Sequence, residues 1–150
     1  MSFYYDMEYV VGFLFNDDKT KMLLIKKTKP DWQKGKFNGI GGKIEPHETP
    51  LEAIIRETEE ESGLIVKDWI DFCAIDGFDG AGDFVVHFFA GITDIHKAID
   101  KTEEKLYIEL VSNLRVCPTV DNLQWLIPMA LNSFKNNEYL KITEKIRSTT

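Results

Sequence analysis

A chain of 150 residues with a net charge of -7 and 43% hydrophobic residues has the size and make-up of one globular domain with a proper core, and a single domain over residues 1–150 is the expectation. Its acidic balance argues against nucleic acid as a partner, because a phosphate-binding surface needs a basic field. No segment has the apolar length that crosses a bilayer, and "MSFYYDMEYV" lacks the basic start and apolar run of a signal peptide, so a cytoplasmic protein with no membrane partner is expected.

"EYVVGFLF" (Glu8–Phe15) is β-branched and aromatic and reads as a buried strand. The polar cluster "NDDKTK" is a turn, and Met22–Lys27 is the partner strand of a hairpin. "TKPDWQKGK" is a polar loop, and "FNGIGGKI" is too rich in glycine for an ordinary central strand, so its backbone must approach something closely. The runs Gly63–Phe78 and Asp83–Thr93 read as strands split by the turn "DGAGD", and Leu106–Val111 as a further short strand. Asp121–Phe134 has a helical pattern, with Asp121 as its cap and Pro128 as a kink or break inside it. Strands on both sides of a central helix, with a second helix near the end, suggest an α+β or α/β sandwich around a mixed sheet. The two cysteines, Cys73 and Cys117, are read as core thiols in a reducing compartment.

The central helix has the best-defined limits. Thr49 caps it, Pro50 suits its first position, Glu52 completes a capping box and Gly63 suits the residue just past its end. At helical spacing Leu51, Ile54, Ile55, Thr58 and Ser62 turn toward the core, whereas Glu52 and Glu59 turn to solvent. Glu57, Glu60 and Glu61 share a third face. Like charges three and four residues apart cost a helix a few tenths of a kcal/mol per pair, and more near its negative C-terminal end. A rigid face of hard oxygen ligands repays that cost if it binds Mg²⁺ or Mn²⁺. Arg56 stands beside the triad and can orient one carboxylate through a bidentate contact.

These residues carry a resemblance. Gly42, Glu48, Arg56, Glu57, Glu60, Glu61, Gly63 and Leu64 stand at the spacing Gly-x5-Glu-x7-Arg-Glu-U-x-Glu-Glu-x-Gly-U, where U is bulky and apolar. That pattern is the Nudix box, and the chain resembles the Nudix hydrolase family from Phe37 to Leu64. One position departs, Thr58 in place of the first U, which should cost packing but no catalytic group. The resemblance implies an α/β/α sandwich with a mixed central sheet and hydrolysis of a nucleoside diphosphate linked to another group. It implies Mg²⁺, with Mn²⁺ as a substitute, held by Glu57 and Glu61 directly, with Glu60 assisting and the Gly41 carbonyl as a further ligand. Arg56 would hold a box glutamate, with Glu48 as the candidate. The catalytic base is left open between Glu57, Glu60 and a carboxylate outside the box, with Glu104 ahead of Glu103.

"FNGIGGK" is similar to the segment that precedes the box in MutT-like enzymes acting on oxidised purine nucleoside triphosphates. Asn38 would then read a base edge, the alternative being a loop-geometry role. Trp32, Phe37 and Trp125 are stacking candidates, with core or loop packing favoured for each. Lys26, Lys27 and Lys43 are candidate phosphate contacts, His47 has no assigned role, and His87 is read as structural. The leading expectation is a MutT-like (deoxy)nucleoside triphosphate pyrophosphohydrolase with a small-molecule nucleotide substrate. Its rivals are a pyrophosphatase of ADP-ribose, a dinucleotide polyphosphate or another nucleotide conjugate, and a non-catalytic regulatory domain that binds nucleotide. Family members often form dimers, so a homodimer is among the expectations.

Overall fold

The computed structural model describes residues 5–78, 80, 82–136 and 138–145. Strands β1 (Met7–Phe15), β2 (Lys21–Lys26), β3 (Phe37–Asn38) and β4 (Ile40–Lys43) precede helix α1 (Pro50–Ser62). Then follow β5 (Ile70–Phe78), β6 (Asp83–Ile92), β7 (Leu106–Leu110), helix α2 (Leu123–Ser133) and β8 (Leu140–Lys145). The strands form one mixed sheet in the order β3-β2-β1-β6-β5-β8, with β4 paired to β1 and β7 to β2. The pairs β1–β6 and β5–β8 are parallel and the rest antiparallel.

Alternation along β1 sorts the core into two layers. Phe13 and Phe15 join Met22, Leu24, Phe72 and Phe88 beneath Leu123, Leu126, Ile127 and Ala130 of α2. Val10 packs with Phe89 beneath Ala53 and Ile54 of α1, and Leu14 with Leu23, Ile40 and Leu64 beside them. The two helices therefore cover opposite faces of the sheet, as the α/β/α expectation requires. Among the described residues no helix is long and apolar enough to cross a membrane.

Helix α1 begins and ends as its residues dictate. The Thr49 side chain accepts from the Glu52 N–H at 3.1 Å and the Glu52 carboxylate accepts from the Thr49 N–H at 3.0 Å, so the capping box is complete. Gly63 takes the left-handed conformation with φ 75°. Thr58 lies on the buried face as expected, and its hydroxyl is satisfied by donating to the Ile54 carbonyl at 2.7 Å. Leu51 departs from expectation: it is 42% exposed, and Ala53 takes the core position instead. A helix seated on a flat sheet buries a narrow stripe, and Leu51 lies beyond its edge.

"FNGIGGKI" forms the short strands β3 and β4, and its backbone makes the close approach expected of it: a Cβ on Gly39 or Gly41 would strike β1, and one on Gly42 the Glu57 carboxylate. Four other expectations need correction. β5 starts only at Ile70: Leu64 and Val66 are drawn into the α1-side core, and the Trp69 indole N–H donates to the Val66 carbonyl at 2.8 Å, turning the chain before the strand. α2 starts at Leu123, runs through Pro128, and neither Asp121 nor Asn122 makes a side-chain cap. β8 was not anticipated: "LKITEK" is a polar strand that, among the described residues, pairs only with β5, far away in sequence. Cys73 is buried, but Cys117 is only half-buried.

Thr49→Ala should lower unfolding free energy by about 1 kcal/mol, since it removes one side of the capping box, and Thr49→Ser should restore most of it. Urea denaturation of the three proteins measures both values, and equal midpoints would contradict the capping role.

Candidate active site

β4 lies antiparallel to β1, with Gly41 opposite Val11 and Gly42 opposite Val10. A Cβ on Gly41 would lie 1.9 Å from the Val10 carbonyl oxygen, and one on Gly42 would meet the Glu57 carboxylate at 2.6–2.8 Å. The absence of both side chains lets α1 press its carboxylates onto bare backbone. Glu61 is seated there by the Gly41 N–H, which donates to its Oε2 at 3.1 Å.

Two half-buried carboxylates thus face the glycine pair. Burial pushes the Glu61 carboxyl up to about 8, with the Glu57 charge adding to the shift and Lys27 opposing it. Burial also raises Glu57 above the ordinary carboxylate value, against the pull of Arg56. Desolvated like charges of this kind are stabilised by a bound cation. Among the described residues no three acidic, histidine or cysteine side chains close into a cage. The donor set fits magnesium in another way, since Mg²⁺ is commonly bound through one or two carboxylates and keeps its other positions for water and substrate oxygens.

Arg56 braces the acidic face. Its Nε and Nη2 donate to the two Glu48 oxygens at 2.7 and 2.9 Å, the bidentate contact expected from the sequence. Its Nη1 donates to Glu57 Oε1 at 2.9 Å and Glu60 Oε2 at 3.2 Å, and Nη2 also donates to the Lys43 carbonyl at 3.1 Å. All five guanidinium N–H donors are thereby engaged. The guanidinium contact, aided by the Glu45 N–H, holds the Glu48 carboxyl below its usual range despite some burial. Glu60, 57% exposed at its side chain, shares the Arg56 Nη1 with Glu57, and its charge adds to the rise of the Glu57 carboxyl.

Glu104 reaches the same region from the segment before β7. Burial alone would raise its carboxyl, but hydrogen bonds from Thr28 and Lys27 outweigh it and hold the group low. Glu103 is exposed. Lys43 is exposed, and its contact with the site is through its carbonyl.

A cleft of about 670 Å³ opens on the α2 side of the sheet, lined by Trp32, Lys36, Val120, Asp121, Asn122 and Trp125 among others. Its volume suits a small organic ligand. The cleft is tied to the glutamate pair through β3: the Phe37 N–H donates to the Pro118 carbonyl at 2.8 Å, and its carbonyl accepts from the Val120 N–H at 2.9 Å. Phe37 itself is buried against Tyr107, ring centroids 5.2 Å apart, so its ring packs in the core and is not presented to a ligand. Trp32 and Trp125 are the reverse: 66% and 40% exposed, they line the cleft where core or loop packing was favoured. Asn38 is half-buried, its Oδ1 accepting from the Gly39 N–H at 2.7 Å and its Nδ2 donating to Gln33 Oε1 at 3.2 Å. Asp121 and Asn122 were missed as cleft residues. Their cap-like spacing pointed to a helix start, and only the pairing of Pro118–Val120 with Phe37 brings them to the cleft.

The sequence profile of the NUDIX domain matches residues 7–137. Similar solved structures include the NUDIX domain of Shewanella oneidensis NrtR complexed with ADP ribose, at 16% identity over 88% of this chain and 90% of that one, with a TM-score of 0.73. The MutT mutator protein of Bacillus halodurans is 19% identical over 93% of this chain and 89% of that one, with a TM-score of 0.69. Shewanella oneidensis NrtR complexed with a 27mer DNA is 17% identical over 84% of this chain but only 61% of that longer one, with a TM-score of 0.70. At these identities the likeness is one of fold.

The glycine pair gives a two-part expectation. Gly41→Ala should cost about 3 kcal/mol or more, because the clash is with strand backbone. Gly42→Ala should cost less than about 1.5 kcal/mol, because the Glu57 carboxylate can swing away, but it should weaken Mn²⁺ binding by about tenfold or more. Urea denaturation and Mn²⁺ titration read the two effects separately.

Proposed function

The chain belongs to the NUDIX domain family, and from that membership we propose that it is a divalent-metal-dependent hydrolase of a pyrophosphate bond in a nucleoside diphosphate-linked substrate, with a nucleoside triphosphate as the favoured class. The observation that carries this reading is the Glu57–Glu61 pair, half-buried at the glycine pair and braced through Glu57 by Arg56. Mg²⁺ bound there would neutralise phosphate charge and acidify an attacking water.

The chain's own residues do the rest. Glu57 and Glu61 supply oxygen ligands, and the Gly41 carbonyl is a candidate third. Arg56 holds Glu57 and Glu48 in place and so keeps the ligand face rigid. The net charge of -7 is no obstacle to a polyanionic substrate once cations reverse the local field. In the cleft, Trp32 and Trp125 offer aromatic faces to a base, and Asp121 and Asn122 offer donors and acceptors for its edge. That polar set beside two aromatic rings favours recognition of a nucleobase. ADP-ribose is the rival substrate, supported by the ADP ribose bound to the NrtR domain. A purely regulatory domain is the less favoured reading, because the full acidic set and its brace are kept at some cost in helix stability.

A panel of nucleoside triphosphates, oxidised purine triphosphates, ADP-ribose and dinucleotide polyphosphates, assayed with Mg²⁺ and resolving phosphate from pyrophosphate, tests the reading. Glu57→Gln and Glu61→Gln should each lose about 10²–10⁴-fold in kcat while staying folded, and the solvent-side control Glu59→Gln should lose almost nothing. Near wild-type turnover in both variants would refute the metal-site assignment. Preferred turnover of ADP-ribose would replace the triphosphate class and leave the hydrolase standing.

Asn38→Ala and Asp121→Ala should lower kcat/KM by about three- to thirtyfold for the preferred base and less for poor ones. An equal fall across all bases would assign these residues to local structure instead.

A further inference from the structure

Strand β7 pairs with β2 alone among the described residues, and that pairing fixes which of its backbone groups are engaged. Leu106–Leu110 run against Ile25–Lys21 in unbroken register. The Lys26 N–H donates to the Lys105 carbonyl at 2.9 Å, and the Val111 N–H donates to the Thr20 carbonyl at 2.8 Å. The hydrogen-bonded positions therefore fall at Lys105, Tyr107, Glu109 and Val111, two residues apart. Leu106, Ile108 and Leu110 direct their N–H and carbonyl groups the other way, along the outer edge. The Leu106 N–H is taken there by Asp100 Oδ1 at 2.9 Å. Beside Ile108 and Leu110 no strand covers that edge among the described residues.

Side chains alternate in the same way. Leu106 packs with Leu23 and Ile95 on the α1 face of the sheet, so Ile108 and Leu110 stand on that face too, 37% and 44% exposed. Leu106 and Ile108 line a cleft of about 390 Å³ with Leu23, Ile95 and Ala98. Tyr107 and Glu109 point to the opposite face, where Tyr107 packs on Phe37. Sheets ordinarily blunt a free edge with lysine, proline or a bulge. Leu106–Leu110 has none of these. β8, at one end of the strand order, is the contrast, with three charged residues in "LKITEK".

A second copy of the chain fits this edge because the strand is its own complement. Two β7 edges set antiparallel about a twofold axis at Ile108 place Ile108 against the partner's Ile108 and Leu106 against the partner's Leu110. The outward groups of Ile108 meet their copies, and each Leu110 N–H meets the partner's Leu106 carbonyl. The Leu106 N–H stays with Asp100. On the other face Tyr107 lies opposite the partner's Glu109, a donor against an acceptor. An axis at Glu109 would instead oppose two carboxylates, and one at Tyr107 would set Leu110 against the partner's Glu104.

We propose that the β7 edge is the interface with a second copy of this chain, paired antiparallel about Ile108, with each Leu110 closing over the partner's cleft beside Leu106. The proposal stands apart from the hydrolase reading, since it uses no residue of the glutamate pair or of the α2-side cleft.

Sedimentation velocity of the wild type from about 1 to 200 µM should show a monomer–dimer equilibrium with a dissociation constant of about 100 µM or tighter. Ile108→Lys sets two ammonium groups face to face at the axis, and Leu110→Ser removes the side chain that closes the cleft. Each should weaken the dimer by about tenfold or more, with folding checked by urea denaturation. In a Cys117→Ser background, Ile108→Cys should cross-link to a covalent dimer on mild oxidation, because facing residues have Cα atoms about 5.5 Å apart, within disulfide reach. Glu109→Cys in the same background should stay uncross-linked, since this register sets it opposite Tyr107 and out of reach of its own copy. The cross-linking pair decides the case should either of the first two substitutions unfold the chain. A wild type that is monomeric throughout the range overturns the proposal. So does a dimer left equally tight by Ile108→Lys and Leu110→Ser, a failure of Ile108→Cys to cross-link, or cross-linking through Glu109→Cys in its place. A wild type that dimerises in this way but hydrolyses no nucleotide upholds the interface and refutes the hydrolase reading alone.

Discussion

The close approach of helix α1 to strand β4 is the constraint on which the site depends. Carboxylates are stabilised by water, and a helix that buries two of them needs a surface without side chains to receive them. Gly41 and Gly42 provide it, one by clearing the β1 backbone and the other by clearing the Glu57 carboxylate. The result is an acidic pair whose proton affinity is raised by burial and only partly offset by Arg56 and the Gly41 N–H.

Positive charge is divided around this pair by chemistry as well as by place. Arg56 has a planar fork of donors and spends all of them on structure, joining Glu48, Glu57, Glu60 and the end of β4 into one unit. Such a group fixes geometry but has nothing to offer a ligand. Lysine has fewer donors on a flexible stem, so it must be tethered before its position means anything. At Lys27 one carboxylate, that of Glu104 at 3.0 Å, does this, and among the described residues the ammonium has no second side-chain partner.

The cleft on the opposite face depends on a different device. β3 is only two residues long, yet it carries Pro118–Val120 on its edge and continues almost at once into the glycine strand. The cleft and the glutamate pair are thus registered to the same short stretch of backbone. The missing side-chain cap of α2 fits the same arrangement, since it leaves Asp121 and Asn122 directed to the cleft instead of to their own helix.

What the sequence determined by itself is local or carried by spacing. The limits of α1 follow from a capping box and a left-handed glycine, both made by residues close together in the chain. The standing of Arg56 beside the glutamate face and the outward turn of Glu59 follow from helical geometry. The strands of the first hairpin follow from composition. The tertiary structure decided what depends on distant partners. It left the Glu60 side chain 57% exposed and seated Glu61 on the Gly41 N–H, a difference that helical spacing alone does not give. It buried Phe37 against Tyr107 and exposed Trp32 and Trp125, which aromatic character alone could not distinguish. It gave the polar segment Leu140–Lys145 a place beside β5, through backbone pairing that leaves no periodic mark on side chains. It joined Glu104 to Lys27 across about half of the chain, because the meeting of two loop charges is set by how the sheet brings their strands together.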